Sequence, residues 1–347
     1  MCGRTALSLD KELIRCACSY KIRHGHGDSY VKPEWLHEHN DGKEYVPSYN
    51  IAPTDVSPVL ISSSKYRTTQ SDSIRIIKPM MWGIIPPWHK GDYHKHNLST
   101  NNCRLENIRQ SKLYNPILLN GGRCIIVVEG YYEWQTTIKT KVKQPYYIYA
   151  SQEEHIKSKH KHVPAICSVL DDAIQDMSGV AGERGARSGT NPARFTIDEP
   201  DTFQNSYNDG DGWNGLKLLY IAGLYNTWQN DDIILYSYSI ITMDSNNTLD
   251  WLHHRMPAIL DTEVQIEAWL DIDNVNADMA LSYLKPSKLL SWHQVSTAVN
   301  NSRYKSDDCI KRISKEKCSQ KSITTWFTKT EKRKINDEEY TKSKKFK

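Results

Sequence analysis

The sequence lacks the long apolar runs that would place part of it in a membrane. No stretch of its 347 residues approaches the roughly 18 consecutive apolar residues of a membrane-spanning helix. The first residues also hold no apolar core of a secretory signal. We therefore expect no membrane partner, and we expect the eight cysteines to be reduced thiols rather than a disulfide framework.

Metal-site spacing is lacking as well. Cys16 and Cys18 stand one residue apart, and no second ligand pair follows them at zinc-site spacing. No metal and no other cofactor is expected. Hydrophobic residues make up only 38% of the chain, but 10 Trp and 20 Tyr are present. Such aromatic side chains can fill a core or stack on bases.

The body of the chain has no excess of positive charge. The chain carries 45 Lys and Arg against 41 Asp and Glu, but residues 301–347 hold 15 of the former and 7 of the latter. This segment is therefore +8 and the remainder −4, which excludes a generally basic nucleic-acid-binding body. If the body binds DNA, it uses a local patch. The basic tail either adds salt-sensitive attraction to phosphates or is a solvated, disordered end.

Composition divides the chain into one folded body and two segments without folding signals. Residues 175–215 combine Gly, Asp, Asn, Arg and Ser with few apolar residues, which is typical of a long disordered insertion. Residues 303–347 are expected to form a disordered basic tail. The sequence thus predicts one domain over residues 1–302, interrupted by the insertion.

Short β-rich runs dominate the body and predict an α+β fold, with a mostly antiparallel β-sheet core flanked by helices. Helices are expected at residues 11–18, 102–110 and 264–270. Strands are expected at residues 56–62, 74–82, 124–132, 146–150, 218–224 and 235–243.

The N-terminus offers distinctive chemistry. A small second residue permits removal of Met1, after which Cys2 carries a thiol and a free α-amine on adjacent carbons. Such a 1,2-aminothiol condenses with an aldehyde to an imine, and thiol attack then closes a five-membered thiazolidine ring. The α-amine has a pKa of about 7.7–8.0, so part of it is neutral and nucleophilic at cellular pH.

Four separated motifs resemble the SRAP family, most closely its animal members. They occupy residues 1–4 (Met-Cys-Gly-Arg), 101–104 (Asn-Asn-Cys-Arg), 128–134 (Val-Glu-Gly-Tyr-Tyr-Glu-Trp) and 253–257 (His-His-Arg-Met-Pro). The resemblance runs to about residue 300 and includes residues 47–50, 81–86 and 238–242. It implies a compact SRAP-like sheet core and a DNA damage response function. Family members link Cys2 covalently to the ring-opened sugar of an abasic site in single-stranded DNA.

This resemblance implies a catalytic role for one residue in each motif. The amide of an asparagine can donate to and accept from an adduct. A neutral imidazole can relay protons during sugar ring opening. The implied catalytic residues are the nucleophile Cys2, the adduct-holding Asn102, and the proton-transfer groups Glu133 and His253.

The carboxylate assignment also has support from the strand pattern. Alternation along this strand places Tyr131 and Glu133 on one face, and Tyr132 and Trp134 on the other. A glutamate among aromatic residues would be partly desolvated, so its pKa would rise and suit a general acid or base. A surface glutamate is the commoner case for a lone residue of this type. Family register selects Glu133 over Glu129.

Three further residues are expected at the DNA. Guanidinium groups match phosphate oxygens, which makes Arg4 and Arg104 candidate phosphate ligands. Arg4 is also a candidate to favour the thiolate of Cys2. Two tryptophans flank a Gly- and Pro-punctuated loop, and the family match favours Trp82 over Trp88 as the one that stacks on DNA.

The tail contains a separate motif at residues 320–327, which resembles the sliding-clamp (PCNA) interaction box. Ile323, Trp326 and Phe327 would share one face of a helical turn and enter a hydrophobic pocket, while Gln320 makes a polar contact. An accidental apolar cluster in a Lys-rich tail is the alternative. The short basic runs nearby are typical of nuclear import signals, so we expect the protein to work in the nucleus, at chromatin and replication forks. We also expect it to be a monomer.

Two other function classes fit the same residues. Cys2 could serve an N-terminal-nucleophile amidohydrolase or peptidase with its own amine as base, which would need donors for a tetrahedral intermediate. A non-catalytic reader of modified cytosine would form no covalent product. The leading hypothesis is a lyase-like, self-crosslinking activity on abasic sites, with autopeptidase removal of Met1 left open.

Overall fold

The computed structural model describes residues 2–24, 27–37, 40–66, 73–136, 143–152 and 206–313. The strands are β1 (Thr5–Leu7), β2 (Tyr20–His24), β3 (Gly27–Val31), β4 (Glu34–Trp35), β5 (Ser48–Ile51), β6 (Val56–Ser62), β7 (Arg75–Trp82), β8 (Asn102–Arg104), β9 (Arg123–Val128), β10 (Gly130–Trp134), β11 (Pro145–Ala150), β12 (Tyr207–Asn208), β13 (Gly212–Trp213), β14 (Leu219–Asn230), β15 (Ile233–Asp244), β16 (Arg255–Pro257) and β17 (Leu290–Gln294). The α-helices are α1 (Lys11–Ala17), α2 (Tyr114–Leu119), α3 (Glu263–Leu270) and α4 (Ala277–Ser282). The expected sheet-dominated α+β fold is confirmed.

Five strands of the larger sheet close into a barrel. Its strand order runs β16-β15-β14-β9-β6-β7-β4, and β15 also pairs in parallel with β7 at Ser237–Met81 and Tyr238–Trp82. This pairing joins the two end strands of the β15-β14-β9-β6-β7 run. Because β15 and β7 hydrogen-bond to each other, neither end of the run is left as a free sheet edge. A little further along, β15 pairs in parallel with β8, with Asn102 opposite Ile240.

The second sheet is antiparallel, in the order β17-β11-β10-β1-β5. Its two faces bury different clusters: Cys2 and Tyr131 join the main core, while Tyr132 and Tyr147 belong to a smaller aromatic core. The predicted alternation along β10 is therefore confirmed. Glu129 interrupts the expected single strand over residues 124–132, and this break carries the chain from the barrel strand β9 into the second sheet.

Helices α1 and α3 confirm the periodicity predictions. Asp10 caps α1 by accepting from the Leu13 backbone N–H, and Thr262 and Gln265 form a capping box at α3. Among the described residues, no helix is long and apolar enough to cross a membrane.

The expected helix over residues 102–110 is wrong in its first part. Asn102–Arg104 is strand β8, and a 3-10 helix follows at Leu105–Gln110. The cause is tertiary, because β15 offers β8 a backbone edge to pair with. A helix at this point would lose that pairing.

The C-terminal boundary of the folded unit also differs from the expected residue 302. The unit continues to Arg312, with Cys309 and Ile310 buried. Part of the expected insertion, around residues 207–213, forms the β12–β13 hairpin. Residues 153–205, the tail from residue 314 and the clamp motif at 320–327 lie outside the described residues.

Candidate active site around Cys2

Cys2 lies just before the start of β1 and is buried, with only 1% of its surface exposed. In the antiparallel register, Thr5 faces Tyr131, and the Tyr132 N–H donates to the Arg4 carbonyl over 3.0 Å. Continuing this register places Gly3 opposite Glu133. The N-terminal arm therefore runs along β10 toward its carboxylate-bearing end.

The Cys2 thiol is held in its protonated form. Burial raises its pKa far above the ordinary value of 9.0, and the nearby Glu133 carboxylate raises it further. The backbone N–H of Arg4 opposes this shift only weakly. The expected activation of a thiolate by the Arg4 guanidinium is therefore wrong. A neutral thiol suits a second step that follows attack by the amine.

Asn102 holds the N-terminal arm directly. Its Nδ2 donates to the Cys2 carbonyl oxygen over 2.7 Å, from the first position of β8. Its Oδ1 is buried and accepts no hydrogen bond from the described residues. Buried amide oxygens normally have a partner, so this atom is suited to accept a donor from a bound adduct.

Glu133 is buried on β10, next to Cys2. Desolvation raises the pKa of its carboxyl group, while the Trp134 N–H, which donates to Oε1 over 3.3 Å, limits the rise. Glu129 is also buried, but its Oε1 accepts two hydrogen bonds from Ser8. The backbone N–H of Ser8 donates over 3.1 Å and its hydroxyl over 2.8 Å. The structure thus brings Glu133, and not Glu129, into the electrostatic surroundings of the Cys2 thiol.

His253 is buried in the loop that precedes β16. Its Nδ1 accepts the Arg255 N–H over 3.0 Å, which leaves the proton of the neutral ring on Nε2. Burial lowers its pKa to about 4, and the neighbouring His254 and Lys143 act in the same direction. The ring is therefore neutral at cellular pH, in the form expected for a proton relay.

Backbone contacts connect the loop of His253 to the end of β10. The Thr136 N–H, two residues beyond this strand, donates to the Leu252 carbonyl over 2.9 Å. The charge of Lys143 acts on both Glu133 and His253, lowering the pKa of each. Lys143 is exposed, and no pattern in the sequence indicated a role for it.

Arg255, on β16, holds this strand to β15 and to the 3-10 helix that follows β8. Its two terminal nitrogens donate to both oxygens of Glu106 at 3.0 Å, and Nη1 also reaches Asp244 Oδ1 at 2.6 Å. Nη2 donates to the Thr242 carbonyl on β15. These contacts give Arg255 a structural role. No signal in the sequence indicated Glu106, because its partner Arg255 lies 149 residues away along the chain.

The Arg4 guanidinium is engaged within the chain. It donates to Asn50 Oδ1 at 3.0 Å, to the Val299 carbonyl at 2.6 Å and to the Asn300 carbonyl at 3.2 Å. These contacts give Arg4 an anchoring role for the arm that carries Cys2. Its assignment to a phosphate stays a prediction.

Arg104 is exposed at the end of β8, and its guanidinium forms no hydrogen bond or ion pair with the described residues. Asn102, two residues earlier on the same strand, contacts Cys2. Arg104 therefore offers a guanidinium at the edge of the candidate site, although its phosphate contact stays a prediction.

The prediction that Trp82 contacts DNA is wrong in this structure. Trp82 is fully buried, stacks on Tyr238 with ring centroids 6.1 Å apart, and donates from Nε1 to the Asn101 carbonyl. It is the last residue of β7, at the pairing that closes the barrel. Trp88, at the far end of the same loop segment, is 57% exposed and is the better stacking candidate.

No cluster of three or more metal-ligating side chains occurs among the residues that the structure describes. The arrangement around Cys2 instead combines a buried thiol, a carboxyl group with a raised pKa, a neutral imidazole and an amide. These groups can move protons and hold an adduct.

Comparisons with known proteins identify the family of this chain. The model of the family SOS response associated peptidase (SRAP) matches residues 1–302. "Abasic site processing protein HMCES" of Xenopus tropicalis is 35% identical, over 90% of this chain and 78% of the relative. The protein of the same name from Mus musculus is 34% identical, over 97% and 85%. A solved structure from Bacteroides thetaiotaomicron shares the fold, with a TM-score of 0.55 at 19% identity, covering 90% of this chain and all of its own.

Proposed function

Because this chain belongs to the SRAP family, we propose that it processes abasic sites in DNA by forming a covalent thiazolidine link through Cys2. The animal relatives carry the name of abasic site processing proteins. One observation carries the chemical detail of the proposal. An N-terminal cysteine, once Met1 is removed, would lie between the amide of Asn102 and a Glu133 carboxyl group whose pKa is raised.

The proposed reaction has three steps: addition of the amine, loss of water and ring closure by the thiol. The α-amine of Cys2 adds to the C1′ aldehyde of the opened sugar, and the resulting carbinolamine loses water to give an imine. Glu133, whose carboxyl pKa is raised by burial, supplies the proton that lets hydroxide leave as water. The Cys2 thiol then adds to the imine carbon, and its proton passes to the nitrogen, which closes the ring.

The other two groups assist these steps. His253 is neutral, so its Nε2–H can donate a hydrogen bond to the sugar O4′ while the proton of the C1′ hydroxyl moves to O4′ and the ring opens. Asn102 keeps the arm in place through Nδ2, and its buried Oδ1 accepts the N–H of the thiazolidine. The Asn102 role uses an oxygen that accepts no hydrogen bond from the described residues.

The state of the thiol favours crosslinking over an amidohydrolase. An N-terminal-nucleophile hydrolase needs its thiol to attack first, while its own α-amine takes the thiol proton as base. Burial and Glu133 hold the Cys2 thiol protonated. In thiazolidine formation the amine attacks first, and the thiol is needed only against an activated imine.

The test uses purified protein and single-stranded DNA with one abasic site. A denaturing gel should show a stable product, with an intact mass equal to protein without Met1 plus DNA minus one water. Cys2→Ala should leave at most a weak, reducible imine, and Cys2→Ser should form no stable ring. A full-strength stable adduct from protein that retains Met1 would overturn the mechanism.

The tail suggests where this activity works. We propose that residues 320–327 tether the protein, as a monomer, to the nuclear sliding clamp (PCNA), so that adducts shield abasic sites at replication forks. Trp326 and Phe327 would be the aromatic anchors, and such anchors commonly cost more than about 2 kcal/mol each on truncation. Calorimetry with a peptide of residues 317–333 should show clamp binding that alanines at these two positions remove.

A further inference from the structure

A cavity of about 500 Å³ opens between α2 and the strands β14 and β15. Its lining includes the side chains of Lys65, Tyr66, Tyr225 and Tyr236. None of the four candidate catalytic residues lines it. Its volume lies within the range of small-molecule sites, and the proposed chemistry at Cys2 makes no use of it.

The wall beside α2 depends on a glycine. The Gly122 N–H donates to the Ile117 carbonyl, and its own carbonyl accepts the Tyr225 N–H, each over 2.8 Å. A Cβ atom at Gly122 would lie 2.6 Å from both the Ile117 side chain and the Tyr225 carbonyl oxygen. A larger residue would therefore push the helix away from β14 and deform the cavity.

The buried ammonium group of Lys78 lies against two of the tyrosine rings, those of Tyr66 and Tyr236. Lys78 is 1% exposed and does not line the cavity, yet its Nζ lies 3.4 Å from the Tyr236 ring centroid and 4.6 Å from that of Tyr66. The ammonium attracts π-electron density toward the protein interior. The rings are thereby poorer partners for a cation in the cavity and better ones for a flat, electron-rich ring.

The rim adds a positive charge and an amide. The exposed Lys65 donates to the Asn120 carbonyl, and its Nζ lies 5.6 Å from the Tyr225 ring centroid. The Asn226 amide also faces the lining. No carboxylate occurs among the described lining residues. Aromatic faces, a cation and an amide together suit a nucleobase with its phosphate.

Helix α2 connects this cavity to the candidate active site. The Tyr114 hydroxyl, in its first turn, donates to the Asn102 carbonyl over 3.4 Å. Pro116 and Ile117, two and three residues later, line the cavity. A six-residue helix is only about 9 Å long, so one short element contacts both places.

We propose that this cavity binds one base of the same DNA strand whose abasic site reacts at Cys2, with Lys65 on the adjoining phosphate. The inference rests on the proposed function, because it assigns a second subsite to that substrate. Stacking against tyrosine would hold the strand in register while the sugar reacts.

The first test measures crosslinking rates at subsaturating DNA, with one to eight nucleotides added stepwise on either side of the abasic site. In the wild-type protein the rate should rise about tenfold in a single step, at the strand length that first places a base in the cavity. A tenfold step is the worth of one stacked base. Lys65→Gln and Tyr66→Leu should lose this step but keep the wild-type rate on the shortest substrate. Lys288→Gln, which changes an exposed lysine elsewhere, should keep the step.

An unchanged step in both cavity variants would overturn the subsite, as would the absence of a step at any length. The second test does not depend on crosslinking at Cys2. Undamaged strands with 5-iodouracil at single positions are irradiated with Cys2→Ala protein, and the labelled peptides are identified by mass. Label on Tyr66, Tyr225 or Tyr236 supports the subsite even if no thiazolidine forms, and label found only elsewhere overturns it.

Discussion

The Asn102 side chain donates through Nδ2 to the Cys2 carbonyl oxygen over 2.7 Å, across one hundred residues of sequence. This bond fixes the position of the N-terminal residue without occupying its amine or its thiol. The other amide atom, Oδ1, is buried without a hydrogen bond from the described residues. The Asn102 amide thus positions Cys2 through its nitrogen, and its oxygen remains able to accept a hydrogen bond from the product.

Asn102→Ala should slow crosslinking by about 10–100-fold, because it frees the arm and removes the acceptor for the adduct N–H. Gel-based rates on abasic single-stranded DNA are the measurement. Asn101→Ala is the matched control, since the Asn101 side chain accepts from Ser99 and has no contact with Cys2. Equal losses in the two variants would contradict the assignment.

Glu133→Gln should slow crosslinking by roughly 10²–10⁴-fold, the usual contribution of a positioned acid or base. It preserves the shape of the side chain but cannot donate and recover a proton. Glu129→Gln should instead disturb the acceptor of the two Ser8 donors, and lower the melting temperature rather than the rate. The reverse pattern would show that the wrong carboxylate had been chosen.

His253 should make the folded protein less stable as the pH falls from 6.5 to 4. Its pKa is lowered from 6.5 to about 4 by burial, so in this window the unfolded chain binds a proton that the folded protein does not. The free energy of unfolding should therefore drop by about 1–2 kcal/mol, after allowance for solvent screening.

Urea unfolding at pH 7.0 and 4.5 measures this effect of His253. His253→Asn keeps an acceptor for the Arg255 N–H but does not titrate, so it should lose this component of the pH dependence. The neighbouring His254 provides the comparison, because His254→Asn removes only one of the smaller causes of the lowered His253 pKa and should keep most of the wild-type dependence. An unchanged dependence in His253→Asn would place the titration elsewhere.

Arg104→Ala should weaken binding of undamaged single-stranded DNA and reduce its salt slope by about one, because one phosphate contact is lost. Fluorescence anisotropy over a range of salt concentrations measures both. Arg109→Ala is a suitable control, since Arg109 already pairs with Asp278 at 3.1 Å. Identical slopes for Arg104→Ala and the wild-type protein would argue against a phosphate contact.

Trp88→Ala should weaken single-strand binding by about 1–3 kcal/mol, the worth of one stacked base, and change stability by less than about 0.5 kcal/mol. Its side chain is 57% exposed, so little packing is lost. Trp82→Ala should instead cost about 3–5 kcal/mol of stability, because it empties a fully buried site. Thermal unfolding and anisotropy separate the two effects, and a DNA defect in stably folded Trp82→Ala alone would reverse the assignment.

Sequence reasoning worked where the signal is local or matched by a motif. Helical periodicity predicted α1 and α3, and strand alternation predicted which face of β10 holds Glu133. The family register selected Glu133 over Glu129 without any knowledge of the contact with Ser8. The chosen carboxylate is the one whose charge acts on the Cys2 thiol.

The failures come from contacts between residues far apart in the chain. Trp82 ends the strand expected over residues 74–82 and precedes a Gly- and Pro-punctuated loop, but this strand closes the barrel against β15 and buries the side chain. Residues 303–312 read as tail because Lys and Asp surround Cys309 and Ile310. Composition cannot reveal that both of these apolar side chains are buried in the folded unit.

The attachment of Arg4 to the C-terminal end of the folded unit has a consequence for biosynthesis. The guanidinium bonds to carbonyls of residues 299 and 300, and the Asn50 amide bonds to those of 299, 301 and 304. During translation these acceptors leave the ribosome only after nearly the whole folded unit has been made. The arm bearing Cys2 therefore gains its final anchor last, and a nascent chain stalled before this point carries the nucleophile without the structure that positions it.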